Sequence, residues 1–175
     1  MNDERGFLLT ELTVTIALLV VVLAVGFIFF FFCQRSFYEG EKKTIVQSNV
    51  RLAANYITKE VRYADNISAT DMSGVKNHCL KLDDNNLKKV TKEADGSIQT
   101  QTQTITRDDC LTGLSFSVDK NNNNKVVLTF TITGNDGTLK DDIVIESEML
   151  LENISVSKLT KIINAQAIYF TKPSV

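Results

Sequence analysis

The chain has 175 residues, 43% hydrophobic and 23% charged, which suits one modest globular domain plus one further element. A formal net charge of -2 is too small to argue for a nucleic-acid or anionic-membrane partner held by bulk charge. The averages conceal an asymmetry. No charge occurs between Glu11 and Arg35, and the run from Ile16 to Phe32 is almost wholly apolar, whereas the chain beyond Arg35 is polar and rich in Asn and Thr.

The 23 residues from Leu12 to Gln34 are uncharged. As a helix they would span roughly 35 Å at about 1.5 Å per residue, enough for a hydrocarbon core of roughly 30 Å. Val20–Val21–Val22 and Phe29 to Phe32 leave such a helix no polar face, so a membrane-type environment is expected. A cleavable secretory signal would need a basic start, a shorter core and small residues at the cut. Met1–Asn2–Asp3–Glu4–Arg5 and Phe32–Cys33–Gln34–Arg35 supply none of these. Two details are unusual for a plain anchor: Gly6 separates Arg5 from the apolar run, and one carboxylate, Glu11, lies five residues further on. An ionisable group within an apolar span costs at least about 2.5 kcal/mol, which makes Glu11 a functional candidate.

The helical pattern continues past the span. Val46, Val50, Ala53, Ile57, Val61 and Ala64 recur at spacings of 4, 3, 4, 4 and 3, a stripe for packing against a core. A helix from about Phe7 to Asn66 is expected, roughly 90 Å long. Ser68 to Gly74 reads as a loop. Strands are expected at Cys79–Leu82, Leu87–Val90, Ser97–Thr106, Leu114–Val118, Val126–Thr133, Ile143–Leu150 and Ile154–Val156. Strict alternation in Thr129–Phe130–Thr131–Ile132–Thr133 gives one buried and one wet face, and Asp119 to Asn124 and Gly134 to Gly137 are turns. The stretch from Lys158 to Phe170 is ambiguous. The class is α+β: a long N-terminal helix laid on an antiparallel sheet.

Little catalytic chemistry is visible. His78 is the single histidine, and no phosphate loop, nucleophile motif or zinc pattern occurs, so no enzyme activity, cofactor or metal is expected. Asp119–Lys120–Asn121 begins like a calcium loop, but the sixth position is Asn124 instead of glycine and the twelfth is Phe130 instead of glutamate.

The string Arg5–Gly6–Phe7–Leu8–Leu9–Thr10–Glu11–Leu12 resembles the processing site of type IV prepilins and type II secretion pseudopilins. The resemblance covers about Arg5 to Val25. It implies cleavage between Gly6 and Phe7 by the prepilin peptidase, N-methylation of Phe7, and a role for Glu11 in meeting the N-terminal amine of a neighbouring subunit. Implied with it are the pilin fold, other pilin subunits and the membrane assembly machinery as partners, and a location in the bacterial cytoplasmic membrane and an extracellular pilus. The corresponding organisation is a leader at 1–6, a membrane or filament-core helix at 7–34, an amphipathic helix at 35–66 and a strand-rich head at 67–175. Arg51 to Ala64, ending in Glu60–Val61–Arg62–Tyr63–Ala64, resembles the post-membrane helix of W-type minor pilins and J-type pseudopilins, which implies a minor subunit initiating the filament or sitting at its tip.

If the head lies outside the cytoplasm, Cys79 and Cys110 can form a disulfide; two separate thiols are the alternative. Two features depart from the family pattern. The one proline is Pro173, so the apolar helix lacks the usual helix-breaking residue, and Arg35, Lys42 and Lys43 after the span outnumber Arg5 before it. A signal-anchored membrane protein with an independent binding or sensor domain therefore stands as the alternative.

Overall fold

The computed structural model describes residues 3–72, 74–94, 102–120, 125–154 and 161–173, with side chains from residue 9 onward. It opens with α1, Asp3–Val61, an unbroken helix of 59 residues. No proline interrupts this stretch, and Gly26 and Gly40 stand in open surroundings. The chain divides into two compact units, Met1–Glu41 and Lys42–Val175, and α1 contributes to both.

In the second unit the helical stripe is buried as its spacing requires: Val46, Val50, Ala53, Ile57, Val61 and Ala64 are all fully inaccessible. The helix stops at Val61, five residues before the expected Asn66. Its last bonds tighten, with the Ala64 amide donating to the Val61 carbonyl at 3.0 Å. The chain is then captured by a distant strand. The Asp65 amide donates to the Thr171 carbonyl, and β1 (Asn66–Ser68) pairs with β9 (Ala167–Thr171), setting buried Ile67 opposite buried Phe170. Burial of Ile67 in this pairing outweighs one more turn of helix.

Two antiparallel sheets complete the unit. The first has the order β1-β9-β2-β3-β4, with β2 at Asn77–Asp83, β3 at Asn86–Lys92 and β4 at Gln103–Thr104. The two-residue turn Asp84–Asn85 joins β2 to β3 with both residues at positive φ (48° and 55°), the left-handed pair that a tight hairpin demands and that Asp and Asn tolerate. The second has the order β7-β6-β5-β8, with β5 at Leu111–Lys120, β6 at Val126–Gly134, β7 at Ile143–Leu151 and β8 at Ile162–Ala165. Leu114, Phe116 and Val118 on β5 and Leu128, Phe130 and Ile132 on β6 point into the same core as the helical stripe, while Thr129, Thr131 and Thr133 lie on the opposite face.

The α+β class therefore holds, and five expected strands coincide with β2, β3, β5, β6 and β7. Of Ser97–Thr106 the structure describes only the short β4; residues 97–101 lie outside the described residues. Ile154 belongs to no strand, and residues 155 and 156 lie outside the described residues. The ambiguous tail supplies β8 and β9, and β9 lies between β1 and β2 within the first sheet.

Candidate functional site

In the first unit the apolar helix carries the feature of interest. From Leu9 to Phe32 the helix exposes its apolar side chains all round, with Ile28 at 71% and Phe32 at 67%, and no part of the most apolar window is buried within this chain. The helix is long and apolar enough to cross a membrane. Glu11 is exposed within this stretch, among Leu9, Leu12 and Val14. Its backbone carbonyl accepts the Thr15 hydroxyl at 2.7 Å, and the Thr13 hydroxyl is likewise given to the Leu9 carbonyl. Both threonines thus satisfy their polar groups within the helix and leave an apolar surface carrying one carboxylate. Gly6 and Phe7 fall in the first turns of α1.

In the second unit, the end of α1 is tied to the first sheet through Glu60. Lys89 on β3 donates to Glu60 Oε2 at 2.6 Å and Lys172, just beyond β9, donates to the same oxygen at 2.9 Å. Tyr56, one turn earlier, reaches Gln103 of β4 at 3.4 Å, and burial followed by the Glu60 charge pushes its phenol up to about 12, so the ring stays neutral. Burial pushes the Glu60 carboxyl up, but the two ammonium groups outweigh it and hold it below its ordinary value. A depressed carboxylate stabilises the folded state above its unfolded pKa, and that contribution is lost as pH falls through the lower folded value. Glu60→Gln should therefore flatten the acid limb of stability below about pH 4.3. Thermal melts of the two proteins between neutral pH and about pH 3 check this; parallel acid limbs would show that Glu60 carries no linkage.

Asn49 is another residue that the sequence motifs pass over. Though 8% exposed, it accepts from the Arg107 amide at 3.2 Å and donates to Asp108 Oδ2 at 3.3 Å, pinning the Ile105–Cys110 loop to the helix. The signal was an Asn beside the apolar stripe, where no solvated role explains it.

The proposed pairing of cysteines is not formed: Cys79 and Cys110 are separate buried thiols. The reason is strand alternation. Leu80 points into the core that contains Cys110, so its neighbour Cys79 points to the other face of the first sheet, opposite Tyr169 and Val90. Cys110 Sγ instead meets the Arg107 carbonyl at 3.7 Å. Burial pushes both thiols up, away from the reactive thiolate. Cys33 is half-buried and unpaired with either. His78 lies against Phe170, with Nδ1 3.0 Å from the Thr91 hydroxyl; burial, then Lys89 and Lys172, lower its pKa. Among the described residues no group of three His, Cys, Asp or Glu side chains could hold a metal ion.

A cleft of about 670 Å³ lies between Thr58 of α1, with Arg62 and Tyr63 just beyond it, and Ser147–Leu150 of β7, with Glu152 and Asn153 after it.

No protein-family model and no curated protein sequence matches this chain. Its fold does match solved structures. The minor pilin PilB from Streptococcus sanguinis superposes with a TM-score of 0.57 over 76% of this chain, at 12% identity. A point mutant of that same pilin gives 0.56 over the same share, also at 12% identity. This chain spans about a third (35%) of the length of those proteins. A long N-terminal helix followed by antiparallel sheets, superposable on a minor pilin, defines the class: the chain has the pilin fold.

Proposed function

We propose that this chain is a minor subunit of a type IV pilus or a related pseudopilus, made with a leader, processed at the membrane and inserted into a filament through α1. The observation that carries the reading is the exposed apolar surface from Leu9 to Phe32 bearing a single carboxylate, Glu11, in a chain with the pilin fold. Such a surface needs lipid or other helices around it. Prepilin peptidase cleaves between Gly6 and Phe7, and the new amine at Phe7 is N-methylated and positively charged near neutral pH. An amine and a carboxylate are each costly in apolar surroundings and much less so as a pair. Glu11 of an incoming subunit therefore meets the Phe7 amine of a neighbour, which sets axial register while packing of apolar helices supplies most of the contact. The globular unit is displayed outside the cytoplasm, with initiation of the filament or its tip as the minor subunit's place.

The mass of the N-terminal peptide from native membranes tests this. A chain beginning at N-methylated Phe7 supports the proposal. An intact Met1 end, in cells with active prepilin peptidase, would sink it in favour of the signal-anchored alternative, which the excess of basic residues after the span favours. Gly6→Ala should block maturation. Glu11→Ala should be processed normally yet be depleted from sheared filaments, by about tenfold if the pair contributes about 1.4 kcal/mol. Wild-type incorporation of that variant would remove the pairing step.

A further inference from the structure

The four sheet edges of the globular unit are unequal. Among the described residues, β1 has three residues, β4 two, and β8 four, the last with a shifted register and with Asn164 at positive φ. Short or irregular edges are how proteins prevent unwanted strand pairing. The fourth edge, β7, has nine residues, no proline or glycine, and pairs with β6 in unbroken register from Ile143 to Leu151. Its outer side carries no strand among the described residues. A long regular edge of this kind is a template for another strand.

The side chains along this edge say which strand it fits. The solvent face of the second sheet runs in rows, Ser115–Thr131–Glu146 and Ser117–Thr129–Glu148, so hydroxyls fill the middle and carboxylates the rim. Glu146 and Glu148 are exposed, and neither is ion-paired to a described residue. A strand added beyond β7 would place alternate side chains directly opposite them, where cations are favoured and anions repelled. The cleft of about 670 Å³ beside this edge is itself largely polar, with Glu148, Glu152 and Arg62 alongside Tyr63 and Met149. That cavity is of a size that holds a few side chains.

The geometry points to β7 as a docking edge for an extended peptide segment of a partner protein with basic side chains at alternate positions. The segment adds as a fifth strand of the second sheet, with its basic side chains opposite Glu146 and Glu148. This assignment stands apart from the filament role of the apolar helix.

The test uses the full chain in detergent micelles and a fluorescein-labelled ten-residue peptide of alternating lysine and valine. Two comparators are a glutamate–valine peptide and the lysine–valine peptide with its pairing amides N-methylated. The expected result is saturable anisotropy change with the lysine peptide alone, and slowed hydrogen exchange confined to β7 amides. Glu146→Lys with Glu148→Lys should weaken binding about tenfold or more. The assignment is overturned if the lysine peptide does not bind, if either comparator binds equally, or if the charge reversals change nothing. Protection of β7 that grows with protein concentration and without peptide also overturns it, assigning the edge to a second copy of this chain. The comparator peptides act on the unsubstituted protein, so the outcome does not depend on the variant folding.

Discussion

Replacing Phe130 by alanine is expected to lower the stability of the globular unit by about 3–5 kcal/mol, the range for truncating a buried aromatic. Phe130 is 1% exposed and sits directly across from fully buried Phe116, at the centre of the β5–β6 ladder and within the same core as Val50 and Ile57 of the helix. Neighbours on a sheet and a helix cannot all collapse into the void, so the cavity cost adds to the lost transfer free energy. Denaturant unfolding of the full chain in micelles, followed by circular dichroism, measures it. Thr129→Ala, on the opposite face of the same strand, should change stability by less than about 0.5 kcal/mol. Because Phe116 and Phe130 share one region, the double alanine variant should cost less than the two singles added together. Equal costs at positions 129 and 130 would mean that the strand's faces are assigned wrongly.

That contrast between faces was legible in the sequence, since alternation through Thr129–Thr133 has only one register that buries Phe130 and Ile132. The helical stripe from Val46 to Ala64 was legible for the same reason: a period is a local property, and burial follows from it. Glu11 and Gly6 were visible because charge and glycine are conspicuous against an apolar run. What escaped depends on distant partners. β1 becomes a strand because Ile67 meets Phe170 about a hundred positions later, and β9 has its place only once β1 and β2 flank it. The cysteines failed for a related reason. Their separation along the chain carries no information on which face of β2 Cys79 occupies; Leu80 decides that by taking the core side. Glu60 reads as one more surface acid until the folding of β3 and the tail brings two lysines to the same oxygen.

Gly134→Ala is the second change with a large expected effect, and its cause is steric. A Cβ at this position would lie 2.5 Å from Val50 Cγ2, 3.0 Å from Val46 Cγ1 and 3.3 Å from the Cys110 carbonyl oxygen. Gly134 ends β6, pairs with Leu111 and Ile143, and packs directly against Val46 and Val50 of the helical stripe. Both valines are fully buried, so neither can swing into solvent, and overpacking of this kind costs about 1–3 kcal/mol. Gly137→Ala should also destabilise, by about 1–2 kcal/mol, but for another reason: its φ is +78° with nothing within 4 Å of an added Cβ, so only backbone strain opposes it. A second substitution separates the two causes. Val50→Ala is destabilising alone, yet combined with Gly134→Ala it removes the clashing methyl, and the pair should cost at least about 1 kcal/mol less than the sum. Combined with Gly137→Ala it should simply add. Additive costs for Val50 and Gly134 would refute the close approach of β6 to α1, and with it the account of how this segment of the helix is held against the sheet.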